Sequence, residues 1–267
     1  MSRTQDAAPV TDLGSLTAGS FRLGRRIAPD RPQWWRAGAW MLGMQTYLAL
    51  WFWAVVLLLA VVAVVALGQA DAVGMSVLQF GAHGALWYPF SLMITVSAVQ
   101  LTSHVGNGMT RRSFVRACLL ATAWVGLVYG LAMAVGLAVE GALYDRAGWP
   151  QVHVATTGDD AAVRVAPWDE GFAVSAVTYA VRTAGGAVAG LLVGTAYYRL
   201  GALRGTLALP LTVLPAVAGQ DDLAHVVADS LGISLAAYDL VNLAVTALAA
   251  LAFWRLVRNI PVAHQRS

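Results

Sequence analysis

The sequence predicts an all-α, polytopic membrane protein with six transmembrane helices, and three observations carry that reading. Of 267 residues, 58% are hydrophobic and 12% charged, with a mean hydropathy of +0.65, outside the range of soluble domains. Several uninterrupted apolar runs approach or exceed the ~18 residues that suggest a helical span. The arginines collect on alternate loops, which orients those spans. Composition also excludes functions. All 17 basic residues are arginine, so the chain lacks a P-loop lysine and any lysine Schiff base. Cys118 is the only cysteine; it reads as a small buried hydrophobe and rules out an internal disulfide or a cysteine-rich metal centre. The isoelectric point near 9.3 fits arginines at membrane edges, and no nucleic-acid partner is expected.

Residues 1–32 are polar and small-residue-rich, with Arg22, Arg25 and Arg26 near the end, which suggests a disordered cytoplasmic tail. Residues 33–47 read QWWRAGAWMLGMQTY. Trp34, Trp35, Ala37, Trp40, Met41 and Met44 follow helical spacing, with Arg36 and Gln45 off that stripe. Tryptophan prefers the headgroup level, so these residues predict an interfacial helix on the inner leaflet. Residues 48–68 form the first span, 69–83 a short outer loop with Asp71, and 84–102 the second span, with Pro89 near its start. A membrane helix tolerates that proline by re-satisfying the freed backbone groups.

The next stretch, SHVGNGMTRRSFVR over residues 103–116, separates two apolar runs. Gly106 and Gly108 bracket Asn107 and favour a tight bend. Thr110 is placed to cap a new helix. Arg111 and Arg112 then fall in its first turn, where the helix dipole disfavours them. Something outside the helix must favour the pair: lipid headgroups, the positive-inside rule or an acidic protein surface.

The third span covers 114–139 and ends at Glu140. The longest loop, 143–170, alternates apolar and polar residues over 151–155 and 161–166 around Thr157-Gly158-Asp159-Asp160, which predicts a small extracytoplasmic β-hairpin. His153, Asp159 and Asp160 lack metal-ligand spacing and read as a solvated turn, so no metal site is expected. The fourth span, 171–197, carries Gly186, Gly190 and Gly194 at four-residue spacing, a smooth strip for close helix packing. It also buries Arg182, whose charge requires protein or water around it.

Residues 205–218 offer a fifth run too short to cross unaided, with Pro210 and Pro215 inside it. A re-entrant segment over 223–233 completes it. The last span, 234–256, holds Asp239 and Asn242, and 257–267 form a cytoplasmic tail. Arg182 enters deeper than Asp239 by about six residues, or ~9 Å; a pair is possible, but backbone carbonyls or water are the preferred partners for the arginine. Charge supports the sixth crossing. With it, fourteen arginines lie inside, against Arg146 and Arg164 outside and Arg182 embedded. Without it, Arg255, Arg258 and Arg266 fall outside, against the positive-inside rule. Both termini are therefore expected in the cytoplasm.

Six spans, a surface helix before the first, an arginine-bearing turn between the second and third and a re-entrant segment before the last form a set. Together with Gly106-Asn107-Gly108-Met109-Thr110-Arg111-Arg112-Ser113-Phe114, this resembles the membrane subunit of an ABC-2 type ABC exporter of bacterial cell membranes. The resemblance implies a permease whose ATPase is a separate polypeptide, and a second permease subunit beside it in the bilayer. It implies that the turn, through His104, Gly106, Asn107, Met109, Thr110, Arg111, Arg112 and Phe114, contacts that ATPase. No cofactor or catalytic residue in this chain is implied. Two other classes compete. An intramembrane enzyme finds neither H-E-x-x-H nor G-x-S-x-G, and would need Glu140 and Asp239 to meet. A structural or regulatory multi-pass protein without transport activity explains the spans but gives the turn no purpose.

Overall fold

The computed structural model describes residues 32–70, 72–157, 162–167 and 171–258. Both expected tails, apart from their inner ends, Asp71 and the hairpin turn 158–161 lie outside the described residues. The first element, α1 (Gln33–Gln69), is one continuous helix of 37 residues, about 55 Å long. The expected boundary between an interfacial helix and the first span is therefore absent; residues 33–47 are the first turns of the spanning helix. The stripe that faces protein only partly overlaps the tryptophan-rich one expected at the headgroup level. Ala37, Met41, Gln45, Ala49 and Trp53 are buried, whereas Trp35 and Trp40 stay exposed. Four-residue spacing selects the first set because those positions face the helix α4 (Arg111–Ala147).

Helix α2 (Gln79–Thr95) starts earlier than expected and contains Pro89. It passes through a π turn, Val96–Gln100, into α3 (Leu101–Gly106). At the entry to α2, the buried Glu140 carboxylate accepts from Ser76 Oγ at 2.5 Å and from the backbone N–H groups of Val77 and Leu78, each at 2.9 Å. Gln151 Nε2 donates to it at 3.3 Å. A carboxylate on a helix N-terminus complements the dipole and the orphan donors there. Glu140 is thus committed to this clamp, and Asp239 is not among the groups that hold it. After α4, β1 (Val152–Thr157) and β2 (Ala162–Pro167) pair antiparallel, Val152 opposite Pro167 and Thr157 opposite Ala162. The hairpin sits within one or two residues of its expected strands and is tied to the α2 entry by Ser76 N donating to the Val152 carbonyl at 2.9 Å.

Side-chain contacts fix the direction of each long helix. Helices α1 and α4 are parallel: Gly38 lies against Ala117 and Leu120, Thr46 Oγ1 accepts from Trp124 Nε1 at 2.9 Å, and the Phe52 ring is 5.3 Å from that of Tyr129. Helix α2 runs against α1, since Gly81 meets Val56 and Gly84 meets Phe52. Helix α5 (Phe172–Leu207) runs with α2 and against α4, because Gly130 lies on Ala176 and Gly126 on Ala180. The final helix, α9 (Leu235–Arg258), runs with α5, placing Asp239 beside Thr178 and Thr246 beside Gly185.

Because α5 and α9 point the same way, the residues between them must bring the chain back. Helix α5 breaks at Gly201, whose φ of 76° and ψ of 180° suit glycine. Beyond it Gly205 packs on Tyr197, the Pro215 carbonyl reaches Gly185, and Gly219 reaches the Arg182 carbonyl. This return is made by α6 (Leu209–Thr212) and α7 (Leu214–Ala218), each about one turn long with a proline in its first turn, where the missing N–H is harmless. Five helices among the described residues are long and apolar enough to cross a membrane, and this stretch is not one of them. The expected re-entrant segment is a regular helix, α8 (Asp221–Leu231), with Asp221 and Asp222 in its first turn, favourably placed on the dipole.

Candidate functional site

The bundle has two ends of different chemistry. The start of α1, the α3–α4 turn, the end of α5 and the end of α9 gather Arg36, Arg111, Arg112, Arg116, Arg199, Arg204, Arg255 and Arg258 at one end. The end of α4 and α8 place Glu140, Asp145, Asp222 and Asp229 at the other, alongside Arg146, the single arginine on those two segments.

At the basic end the turn forms as its residues dictate. Helix α3 ends at Gly106 with Asn107 as its C-cap, Gly108 takes φ 76°, and the Thr110 hydroxyl accepts from Ser113 N at 3.1 Å. Gln33, the first residue of α1, clasps the turn: its amide oxygen accepts from Thr110 N at 3.2 Å and its amide nitrogen donates to the Gly108 carbonyl at 3.3 Å. Nothing in the sequence pairs Gln33 with residues 75 positions away; helix directions create the contact. Gly106, Asn107, Gly108, Thr110 and Arg112 are exposed, Arg111, Met109 and His104 half-buried. Phe114 does not belong with them. It is fully buried, its ring 5.1 Å from that of His104, because it lies on the α4 face that packs into the core. The expected partner contact through Phe114 is corrected accordingly: that side chain supports the turn from beneath.

The second cluster lies where α5, α8 and α9 converge. Arg182, 7% exposed in its side chain, contacts Asp221 through Nη1, and its Nε lies 3.4 Å from Asp239 Oδ1. Thr178 donates to the other Asp239 oxygen at 2.8 Å. The sequence-based preference for backbone carbonyls or water around Arg182 is thus replaced by a pairing with two carboxylates. Sequence reasoning misses Asp221 as a partner because only the fold-back at Gly201 carries it to the level of Arg182. One guanidinium between two carboxylates leaves the cluster a formal charge of −1. Two residues on α9 extend its polar face inward: Asn242 and Thr246, both buried, with side-chain polar atoms that have no hydrogen-bond partner among the described residues.

The glycine strip packs within the chain. Gly186, Gly190 and Gly194 lie on the backbone carbonyls of Leu86, Phe90 and Ile94 of the second long helix. Helix approach at that distance requires the missing side chain. That strip is therefore filled within the chain and offers no open face.

Compared with family models, curated proteins and solved structures, the chain matches none. The fold and the two clusters define a helical, multi-pass membrane protein.

Proposed function

We propose that this chain is the membrane subunit of an ABC-2 type exporter, coupling ATP hydrolysis by a separate ATPase to transport across a bacterial cell membrane. One observation carries the reading: an exposed turn between the second and third long helices, at the basic end, held rigid by the Thr110 cap and the Gln33 clasp. A projecting, pre-organised element is suited to transmit force, since little ordering entropy is lost when a partner docks. On this reading the chain crosses six times, the fifth crossing being α6, α7 and the segment up to α8. Both termini then face the cytoplasm, and a second permease subunit packs against exposed apolar faces such as Leu240, Val241 and Leu248 of α9.

Orientation is tested with single cysteines in a Cys118→Ser background. Ser230→Cys is expected to react with an impermeant thiol reagent from outside intact cells, and Ala202→Cys only after permeabilisation. Labelling of both from the same side would remove the fifth crossing.

Docking is tested at the tip. A Cβ at Gly106 meets no atom within 4 Å and the residue is exposed, so Gly106→Trp starts in open space and is expected to keep the fold while filling the projecting surface. The partner to use is a soluble protein bearing G-x-x-x-x-G-K-[ST] encoded beside this chain. Gly106→Trp is expected to lower co-purification and permease-stimulated ATP hydrolysis at least about tenfold, as blocking a docking hot spot does. Undiminished pull-down and hydrolysis would favour the structural or regulatory reading, in which the turn is only a charged membrane boundary.

A further inference from the structure

Beside the turn, the basic end holds a recess of about 720 Å³; it shares His104, Asn107 and Met109 with the proposed docking surface, but its α1 face lies outside that surface. Two helix faces form it. Gln33, Arg36 and Trp40 project from α1 at helical spacing, and Gln100, His104 and Asn107 face them from the end of the second long helix. The π turn at Val96–Gln100 precedes that second face. A π turn adds one residue to a helical turn and rotates the face beyond it, and such turns recur at functional sites.

The polar atoms in the recess are specific in sign. Arg36 is its fixed cation, and among the described residues no carboxylate lines the recess or pairs with that guanidinium. The Gln100 amide oxygen is buried and accepts no hydrogen bond among the described residues. His104 Nδ1 lies 2.9 Å from the Gln100 carbonyl; a carbonyl only accepts, so Nδ1 carries the proton and Nε2 is left for another partner. The complement is a molecule with one anionic oxygen group for Arg36 and a hydroxyl donor for the Gln100 oxygen.

Position narrows the class further. The recess opens at the end where the arginines gather, and Trp40 stands at its edge, as tryptophan does at the headgroup level. We infer that the recess binds the headgroup of an anionic lipid, a phosphodiester carrying a free hydroxyl, of which phosphatidylglycerol is the simplest. Arg36 holds the phosphate by charge-assisted hydrogen bonds. The headgroup hydroxyl donates to Gln100. The lipid thereby ties the start of α1 to the helix that leads into the turn. This inference depends on the basic end facing the anionic leaflet and stands whether or not the chain is a permease.

The test uses the full chain in nanodiscs with equal phosphatidylglycerol and phosphatidylcholine, and native mass spectrometry to count lipids retained after transfer to mild detergent. The wild type is expected to retain phosphatidylglycerol in preference by about tenfold. Arg36→Gln is expected to lower that preference about fivefold or more, the scale of one basic residue at an anionic surface, and Gln100→Leu to lower it about fivefold, the scale of one neutral hydrogen bond. Arg258→Gln, at the same end but outside the recess, is expected to keep it. A matched thermal-unfolding profile confirms that the variants are folded. Equal retention of the two lipids, a preference that survives Arg36→Gln, or an equal loss in Arg258→Gln would overturn the site. Complete displacement of the lipid by millimolar glycerophosphoglycerol would overturn its assignment to a membrane lipid in favour of a soluble phosphodiester.

Discussion

Replacing Arg182 with glutamine is expected to destabilise the protein by about 3 kcal/mol, the lower end of the cost of breaking a buried pair, because Arg182 is buried while its two carboxylates are only partly so. The guanidinium touches Asp221 and lies 3.4 Å from Asp239, so its removal leaves two like charges close together at the edge of the bundle. The cost is also structural. Asp221 is the first residue of α8 and anchors the outer end of the broken return along α5. Losing the anchor frees a segment whose own helices are only one turn each, too short to hold themselves in place. Unfolding in detergent should show Arg182→Gln as the worst of the single variants of this cluster. Adding Asp239→Asn to it should recover part of the loss, because the second change removes a charge the first one orphaned. Strict additivity of the two would show that they do not interact, and the proposed cluster would then be wrong.

Gly190→Ala is expected to cost at least the upper end of the ~1–3 kcal/mol typical of overpacking. A methyl group there overlaps the Phe90 carbonyl and crowds Met93, and backbone cannot step aside as a flexible side chain can. Helices α2 and α5 would have to separate along their whole contact. Gly43→Ala is the control: it lies within α1 and a methyl group there meets nothing within 4 Å. Alanine is the better helix former, so Gly43→Ala is expected to be stabilising by about 0.5–1 kcal/mol. If the two substitutions behave alike in unfolding measurements, the α2–α5 contact is not as close as described.

Local chemistry makes much of this fold legible from residues alone. The Asn107-Gly108 bend, the Thr110 cap and the start of α4 depend on residues within four positions of each other, and each is found where the residues place it. The hairpin is equally local, written in alternation across a polar turn. The long helices arise from apolar runs, although their ends lie beyond the apolar stretches. Hydropathy marks where lipid is, whereas a helix continues until its backbone finds a cap, as α4 does at Gly148 with φ 72°.

The sequence by itself therefore determined the class of the molecule, its long spans, the sign of its two ends and the shape of the turn, all properties of neighbouring residues. It did not determine which residues meet. Arg182 finds Asp221 because glycine at position 201 lets the chain double back; Gln33 finds the turn because α1 and α4 are parallel. Phe114 departs from its expected role for the same reason, since a residue's side of a helix is assigned by what packs there. The glycine strip announced close packing, but only the three-dimensional arrangement chose α2 as its partner. Such contacts span tens of residues in the chain, and their energy depends on distances that no local pattern encodes.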